Sequence, residues 1–214
     1  MSGRVAGLIA AAGSSVRMGA CKALLPYAGA TVFVERIAQV FLAARIDPVI
    51  VTVPDGDDGW RIEQAVASLP VICVRNEAPD DGLSGSVVTA IHHAAEHEAL
   101  VVTPVDCPFL DVELVRSLLF LLDTAAAAAP EVSGARGHPV AFSRATFELL
   151  CGCATRGGPR AVLDALHGAG DVALVPWSDP HVLEDVDTPE DYLRLFGVTV
   201  PQAAAPPGGT RRRG

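Results

Sequence analysis

The chain has 214 residues, of which 50% are hydrophobic and 19% charged, and its formal net charge is −9. This length suits one domain with a sizeable core, and the composition is that of a globular chain, not a disordered one. The negative charge argues against a nucleic-acid or anionic-membrane partner, and no run reaches the roughly 18 apolar residues that a membrane helix needs.

The first element is an apolar run that ends in a loop of small residues. Val5–Ala10 is long enough for one buried strand, and Gly13–Ser15 follows it, with Arg17 and Lys22 close behind. Small residues let the backbone approach a ligand, its N–H groups can point at phosphate oxygens, and the cations can neutralise charge. The stretch therefore predicts a polyphosphate site.

Two better-known phosphate-binding motifs do not fit this loop. A P-loop needs four residues between its glycines and a hydroxyl after its lysine, whereas five residues separate Gly13 from Gly19 and Ala23 follows Lys22. The dinucleotide-binding fingerprint needs three closely spaced glycines, and only Gly13 and Gly19 are available.

Helices and strands alternate in the next part of the chain. Helices are predicted from an N-cap at Thr31 to about Arg45, at Trp60–Leu69, from about Ser86 to Glu96 and from about Asp111 to Ala128. Strands are predicted at Val49–Val53, Val71–Val74 and Ala99–Val102. This alternation predicts an α/β fold whose parallel sheet is covered on both faces and binds ligands at the carboxyl ends of its strands.

The second half is less regular. Strands are predicted at Val140–Phe142 and Val172–Val175, and helices near Arg144–Leu150, near Arg160–Leu166 and from a cap at Thr188 through Leu195. The end of the chain is rich in proline, glycine and alanine, which predicts one domain at residues 1–198 and a disordered tail at 199–214.

Two aspartates are candidates for a metal site. Asp106 closes a predicted strand, and the helix that follows already has Asp111 as its cap, so the Asp106 carboxylate is free for Mg²⁺. Asp185 and Asp187 alternate on an extended segment, where capping of the last helix does not explain them. Either of these two carboxylates could supply the second ligand.

One rival motif points to different chemistry. Residues 93–97 read His-Ala-Ala-Glu-His, the inverted zinc-protease pattern, and two histidines four apart on a helix share a face. Histidines also suit the last turns of a helix, and no third ligand follows at a suitable place, so the helix-end interpretation is preferred.

Cysteine usage and the N-terminus bear on the compartment. The five cysteines have no regular spacing and their number is odd, which predicts free thiols in a reducing environment. The first residues have neither the charged head nor the cleavage site of a signal peptide, so a cytoplasmic protein is expected.

The phosphate loop also carries a family signature. The pattern A-A-G-x-S-x-R-M-G-x-x-K is matched at every fixed position, by Ala11, Ala12, Gly13, Ser15, Arg17, Met18, Gly19 and Lys22. It resembles the molybdenum cofactor nucleotidyltransferases (MobA-like NTP transferases) of the glycosyltransferase-A-like superfamily. Asp-Val-Asp-Thr-Pro-Glu-Asp at 185–191 resembles the C-terminal motif of that family.

The resemblance implies a fold and an activity. The fold would be a three-layer α/β/α sandwich of the nucleotide-diphospho-sugar transferase type, with a Rossmann-like, mostly parallel sheet that is mixed at one edge. The reaction would be nucleotidyl transfer from an NTP to a phosphorylated acceptor, molybdopterin, with release of pyrophosphate. A molybdoenzyme would be a further partner as client.

The resemblance also assigns roles to residues. Arg17, Lys22 and Asp106 would be catalytic, and Mg²⁺ would bind Asp106 and Asp187. The nucleotide would contact the following residues: Ala11, Ala12, Gly13, Ser14, Ser15, Asn76, Gly82, Ser84 and Ser86. Cytidylyltransferases of the family carry Ala-Ala-Gly where guanylyltransferases carry Ala-Gly-Gly, so the resemblance favours CTP over GTP. Without the resemblance, residues 82–86 are explained equally well as a helix cap.

Alternatives remain open for the acceptor and the class of function. Segments 137–140 and 157–160 resemble the acceptor side of the family, and His138 there is a candidate for proton transfer, substrate orientation or packing. The same scaffold serves acceptors that are sugar phosphates or methylerythritol phosphate. In another class, the chain would bind nucleotide as an accessory protein of a molybdoenzyme, without turnover.

Overall fold

The computed structural model describes residues 4–76, 78–153 and 157–201. The strands are β1 (Val5–Ala10), β2 (Pro26–Ala28), β3 (Thr31–Val32), β4 (Val49–Val53), β5 (Val71–Arg75), β6 (Ala99–Pro104), β7 (Ala127–Val132), β8 (Ala135–Arg136), β9 (Val140–Ser143) and β10 (Val172–Pro176). The α-helices are α1 (Phe33–Ala43), α2 (Asp57–Ala65), α3 (Leu83–His93), α4 (Val112–Leu121), α5 (Phe147–Cys151), α6 (Gly158–Gly168) and α7 (Pro189–Phe196).

The centre of the molecule is an eight-stranded sheet in the order β10-β7-β9-β6-β1-β4-β5, with β8 paired to β7. Strands β6, β1, β4 and β5 are parallel, whereas β9 runs antiparallel to both β6 and β7. The predicted α/β class with a mostly parallel sheet is therefore confirmed. Strand β9 lies inside the sheet, two strands from the β10 edge and not at the edge itself, and the short β8 also pairs antiparallel with β7.

Helices cover both faces of the sheet and make three layers. Helices α1, α2, α4 and α7 share one hydrophobic cluster, and α3, α5 and α6 share the other. Neighbouring residues of β1 serve opposite layers, because Leu8 belongs to the second cluster and Ile9 to the first, and both are fully buried. An apolar run without alternation is what a strand buried on both faces requires.

The predicted cap of the first helix is wrong. Thr31 lies in β3, which pairs with β2 as a small hairpin, and α1 begins at Phe33. The first turn is capped from inside the helix, because the Glu35 carboxylate accepts a hydrogen bond from the Val32 N–H at 3.0 Å. Helix α2 likewise begins three residues before the predicted Trp60.

The prediction of one long helix from Asp111 to Ala128 is also wrong. Asp111 is the cap as predicted, since its side chain accepts from the Leu114 N–H at 2.8 Å, but α4 ends at Leu121. The alanines at 127–129 form the start of β7 and are fully buried. Alanine favours helices, but its small side chain also fits a strand enclosed by packed layers, and burial decided the outcome.

The third predicted helix lies three residues closer to the N-terminus than expected. Helix α3 starts directly after Gly82, whose φ of 56° is in the left-handed region that favours glycine, and it ends at His93. His97 therefore lies beyond the helix, so His93 and His97 do not form the helical ligand pair of a zinc protease. Within the described residues no group of three possible metal ligands occurs.

The structure bears on the prediction about membrane helices but not on most of the predicted C-terminal tail. In the described part of the chain, no helix is both long enough and apolar enough to cross a bilayer. The predicted tail, apart from residues 199–201, lies outside the described residues.

An aromatic cluster packs helix α7 against the first half of the chain. Tyr27, Phe33, Phe109, Tyr192 and Phe196 contact one another with centroid distances from 4.8 Å to 6.4 Å. The Tyr192 hydroxyl also donates to the carbonyl oxygen of residue 26 at 2.8 Å. Because α7 follows directly after Asp187, this packing determines where that carboxylate lies.

Gly7 provides a test of the packing between β1 and α1. A Cβ there would lie 2.6 Å from Phe41 Cδ2 and 2.9 Å from Ile46 Cγ2. Both neighbours are buried core side chains, so Gly7→Ala should lower the free energy of unfolding by about 1–3 kcal/mol. Denaturant unfolding of the wild type and the variant measures this change in the free energy of unfolding.

Gly168→Ala in α6 is the matched control, because a Cβ there meets nothing within 4 Å. That change should leave stability unaltered or raise it slightly. Equal stability of the two variants would contradict the packing described for Gly7.

Candidate functional site

A cleft of about 550 Å³ opens at the carboxyl ends of β1 and β6. The predicted site residues that line it are Ala11, Ala12, Gly13, Ser14, Ser15, Arg17, Lys22, Gly82, Ser86, Asp106 and Asp187. In a parallel sheet this end is where loops from separate strands converge. The structure thus brings together residues that are far apart in the sequence.

Local interactions shape the phosphate loop. Ser15 has a φ of 48°, and its carbonyl oxygen accepts from the N–H groups of Met18 and Gly19 at 3.1 Å and 3.2 Å. Its hydroxyl accepts from the Lys22 N–H at 3.2 Å. The Met18 side chain is 2% exposed and anchors the loop in the core.

The same loop presents unpaired backbone donors. From residue 12 to residue 17, no N–H group donates a hydrogen bond to any described residue. Gly13 and Ser14 are exposed at the cleft. Unpaired N–H groups at the end of a strand, next to two cations, are suited to bind phosphate oxygens.

The centre of the cleft is a network of two cations and two carboxylates. Lys22 Nζ donates to Asp106 Oδ2 at 2.8 Å and also to Asp187 Oδ1, and Arg17 Nη2 lies 2.9 Å from Asp187 Oδ2. Lys22 is largely buried, with its side chain 12% exposed, whereas Arg17 is 70% exposed. Lys22 is therefore held by both carboxylates, whereas Arg17 pairs with Asp187 alone and remains largely exposed to solvent.

The network shifts two pKa values in opposite directions. Burial by itself disfavours the Lys22 ammonium, but hydrogen bonds and charge from Asp106 and Asp187 outweigh it and raise the pKa of Lys22. The hydrogen bond from Lys22 lowers the pKa of Asp187, and the charges of Lys22 and Arg17 add to this effect. All of these shifts favour the charged forms.

The carboxylate pair fits a divalent cation. One ammonium already reaches both Asp106 and Asp187, so the two groups are close enough to share a positive centre. Mg²⁺ usually takes one or two carboxylates and completes its shell with phosphate oxygens and water. Two protein ligands are therefore sufficient for a site that nucleotide phosphates would complete.

The other candidate ligand, Asp185, lies outside the lining of the cleft. Its Oδ1 accepts a hydrogen bond from the Cys107 thiol at 3.0 Å. Burial raises the pKa of that thiol well above its usual value, and nearby Asp106 and Asp185 raise it further. Cys107 is thus a neutral donor that orients Asp185, and no pattern in the sequence indicated this pair.

The opposite wall of the cleft rests on a buried polar network. The Thr52 hydroxyl donates to Ser86 Oγ at 2.9 Å, and the Asn76 side-chain amide lies 3.3 Å from the same oxygen. Asn76 and Ser84 are buried and do not line the cleft, so the structure places these two predicted nucleotide contacts behind the wall. Thr52 was missed because it lies inside an apolar strand.

His138 does not line the cleft either. Burial lowers its pKa, although the charges of Asp185 and Asp106 act in the opposite direction. Its Nδ1 is buried and has no hydrogen-bond partner in the described part of the chain. Of the roles considered for His138, packing next to the carboxylates is the one these contacts describe.

Comparison with known sequences identifies a family match. Residues 7–170 match the model of the MobA-like NTP transferase domain. The chain is 32% identical over 197 residues to a molybdenum cofactor guanylyltransferase of Cereibacter sphaeroides, which covers 89% of this chain and 95% of the relative.

Solved structures with the same fold include two instructive neighbours. Rv0371c from Mycobacterium tuberculosis H37Rv superposes with a TM-score of 0.77 at 25% identity, covering 92% of this chain and all of that one. The 2-C-methyl-D-erythritol 4-phosphate cytidylyltransferase from Thermus thermophilus superposes with a TM-score of 0.67 at 20% identity, covering 91% and 98%.

The ion network predicts how stability depends on pH. A carboxylate whose folded-state pKa is lowered contributes stability that is complete above its unfolded value, near 3.8 for Asp187, and is lost as the pH falls through the lower folded value. The difference in unfolding free energy between the wild type and Asp187→Asn should therefore be largest near neutral pH and shrink below that value.

Urea unfolding at a series of pH values measures this difference. Asp58→Asn is the matched control, because Asp58 forms an ion pair with Arg61 on the exposed surface of α2. A difference for Asp187→Asn that stays constant from neutral to acidic pH would contradict the ion network.

Proposed function

The chain belongs to the MobA-like NTP transferase family, and we propose that it transfers a nucleotidyl group from an NTP to the molybdenum cofactor, with release of pyrophosphate. The single observation that carries this proposal is the convergence of unpaired loop N–H groups, two cations and two carboxylates in one cleft. A triphosphate needs donors and positive charge along its length, and this cleft offers both.

The acceptor's own chemistry makes a strong general base unnecessary. A phosphate monoester has a second pKa of about 6, so it is already a dianionic nucleophile at neutral pH. Its oxygen forms the new bond to the α-phosphorus, the bond between the α-phosphorus and the bridging oxygen breaks, and pyrophosphate leaves with the electron pair. Positioning and charge stabilisation are what the protein contributes.

Arg17 and Lys22 have separate tasks in this proposal. Lys22 is held by two carboxylates and marks a fixed positive centre beside the reacting phosphate. Arg17 is mostly exposed and can follow the departing pyrophosphate. The N–H groups of residues 12–17 bind the remaining phosphate oxygens.

Asp106 and Asp187 are the residues that would hold Mg²⁺. The bound ion would offset charge on the phosphate oxygens of the reacting nucleotide. What supports this proposal is the closeness of the two carboxylates, since Lys22 Nζ reaches both of them.

For the base, we propose that CTP is preferred over GTP. Ala12 lines the cleft, and its methyl group occupies space that a glycine would leave open. A larger purine would need that space, whereas a pyrimidine would not. The guanylyltransferase name of the Cereibacter relative favours GTP instead, so the preference has to be measured.

The acceptor is the second open choice. The molybdenum cofactor is favoured by the relative that matches most of the chain, while the methylerythritol phosphate enzyme shares the fold alone. An accessory protein that binds nucleotide without turnover is a candidate of another class. The exposed Arg17 in the lining of the cleft favours turnover, because a cation that solvent reaches suits a charged leaving group.

Pyrophosphate release tests these proposals together. CTP, GTP, ATP and UTP are offered in turn, with and without Mg²⁺, alongside the molybdenum cofactor or methylerythritol phosphate. We expect release that requires Mg²⁺ and the molybdenum cofactor and that is fastest with CTP. Ala12→Gly should shift the ratio of CTP to GTP turnover toward GTP by about tenfold, the effect of a methyl-sized change in a pocket.

Ala67→Gly, an exposed position outside the cleft, is the control for Ala12→Gly. Wild-type preference for GTP would overturn the CTP proposal alone. Release with methylerythritol phosphate but not with the molybdenum cofactor would overturn the acceptor. NTP binding without any release would overturn the enzyme in favour of the accessory protein.

A further inference from the structure

A second cavity lies at the opposite end of the sheet from the catalytic cleft. Its volume is about 490 Å³, and it is lined by Arg4, Val5, Arg45, Asp47, Pro48, His93 and His97. These residues lie at the start of β1, just before β4 and at or after the end of α3, so the cavity sits at the amino ends of the central strands. Nothing in the proposed transfer reaction uses it.

The cavity is basic in a protein that is acidic overall. Its lining has two guanidinium groups and two imidazoles but only one carboxylate, that of Asp47. The whole chain, in contrast, has a net charge of −9. Arg4 and Arg45 form no ion pair with any described residue. Arg144 adds a nearby cation, since its Nη1 lies 3.5 Å from the carbonyl oxygen of His97.

His97 is an unsatisfied polar group in the wall of this cavity. Its side chain is 4% exposed, and neither ring nitrogen has a hydrogen-bond partner in the described part of the chain. Buried polar groups are normally paired, and an unpaired one costs about 1–3 kcal/mol. A group bound in the cavity would lie against the His97 ring, whose nitrogens are themselves covered by the protein.

Arg45 stands at a position where a glycine is the usual residue. It follows the end of α1 with a φ of 66°, a left-handed conformation in which helices commonly end in glycine. The turn does not require an arginine at this position, so the turn does not explain the long cationic side chain. The turn itself would accept a glycine with less strain.

We propose that this cavity binds a phosphate-bearing small molecule, with Arg4 and Arg45 pairing with the phosphate oxygens beside the His97 ring. Guanidinium groups match phosphate oxygens in geometry as well as in charge. The site is independent of the catalytic cleft and of the proposed reaction.

The test follows the histidine ring signals of the full chain by NMR at constant pH and ionic strength. Orthophosphate, pyrophosphate and a nucleoside monophosphate are titrated separately, with His93→Gln and His97→Gln assigning the two signals. We expect saturable shifts of the His93 and His97 rings, while His167, which is exposed on α6, stays unchanged. Tighter binding of the nucleoside monophosphate than of orthophosphate would identify the ligand as an organic phosphate. Equal titration midpoints would identify it as free phosphate.

Arg45→Gly is the decisive variant, because it removes the cation without disturbing the turn. It should raise the midpoint of the titration about tenfold, the value of one charge-assisted hydrogen bond, while thermal stability stays the same or rises. Arg61→Gln, which removes an exposed cation outside the cavity, should leave the midpoint unchanged. Shifts that never saturate, or a midpoint unaffected by Arg45→Gly, would overturn the proposal.

Discussion

One lysine between two carboxylates is the interaction on which the geometry of the cleft depends. Lys22 is 84 residues from Asp106 and 165 residues from Asp187 along the chain, yet its ammonium group donates to both. Two partly buried carboxylates at one point repel each other unless a cation lies between them. The fold must therefore bring three distant segments to the same place, and each segment has its own restraint.

Those restraints are visible in the packing. Lys22 is placed by the phosphate loop, which Met18 anchors in the core. Asp187 is placed by the aromatic cluster around α7, and the Val186 N–H donates to the carbonyl oxygen of Asp106 at 2.9 Å. That backbone bond joins the two carboxylate segments directly. The site is thus supported by the core and not by the flexible side chains alone, which is what catalysis by positioning requires.

The sequence predicted the strands that carry the cleft better than the edges of the fold. Apolar runs identified β1, β4 and β6, and the spacing of Arg17 and Lys22 after Gly13 identified the loop, because strand ends and small residues act locally. The alanines of β7 were misassigned because only the packed layers around them favour a strand. The sequence could not show that Ser86 lines the cleft while Ser84 is buried behind it, since this depends on where α3 begins.

The most direct measurement compares turnover and melting temperature in Lys22→Ala, with pyrophosphate release as the activity. If Lys22 provides the fixed positive charge at the reacting phosphate, turnover should fall by at least about a hundredfold, as when a preorganised charge-stabilising donor is lost, while the melting temperature falls by only a few degrees. Arg61→Gln, which removes an exposed cation, should change neither quantity. Turnover that survives in folded Lys22→Ala would contradict the account.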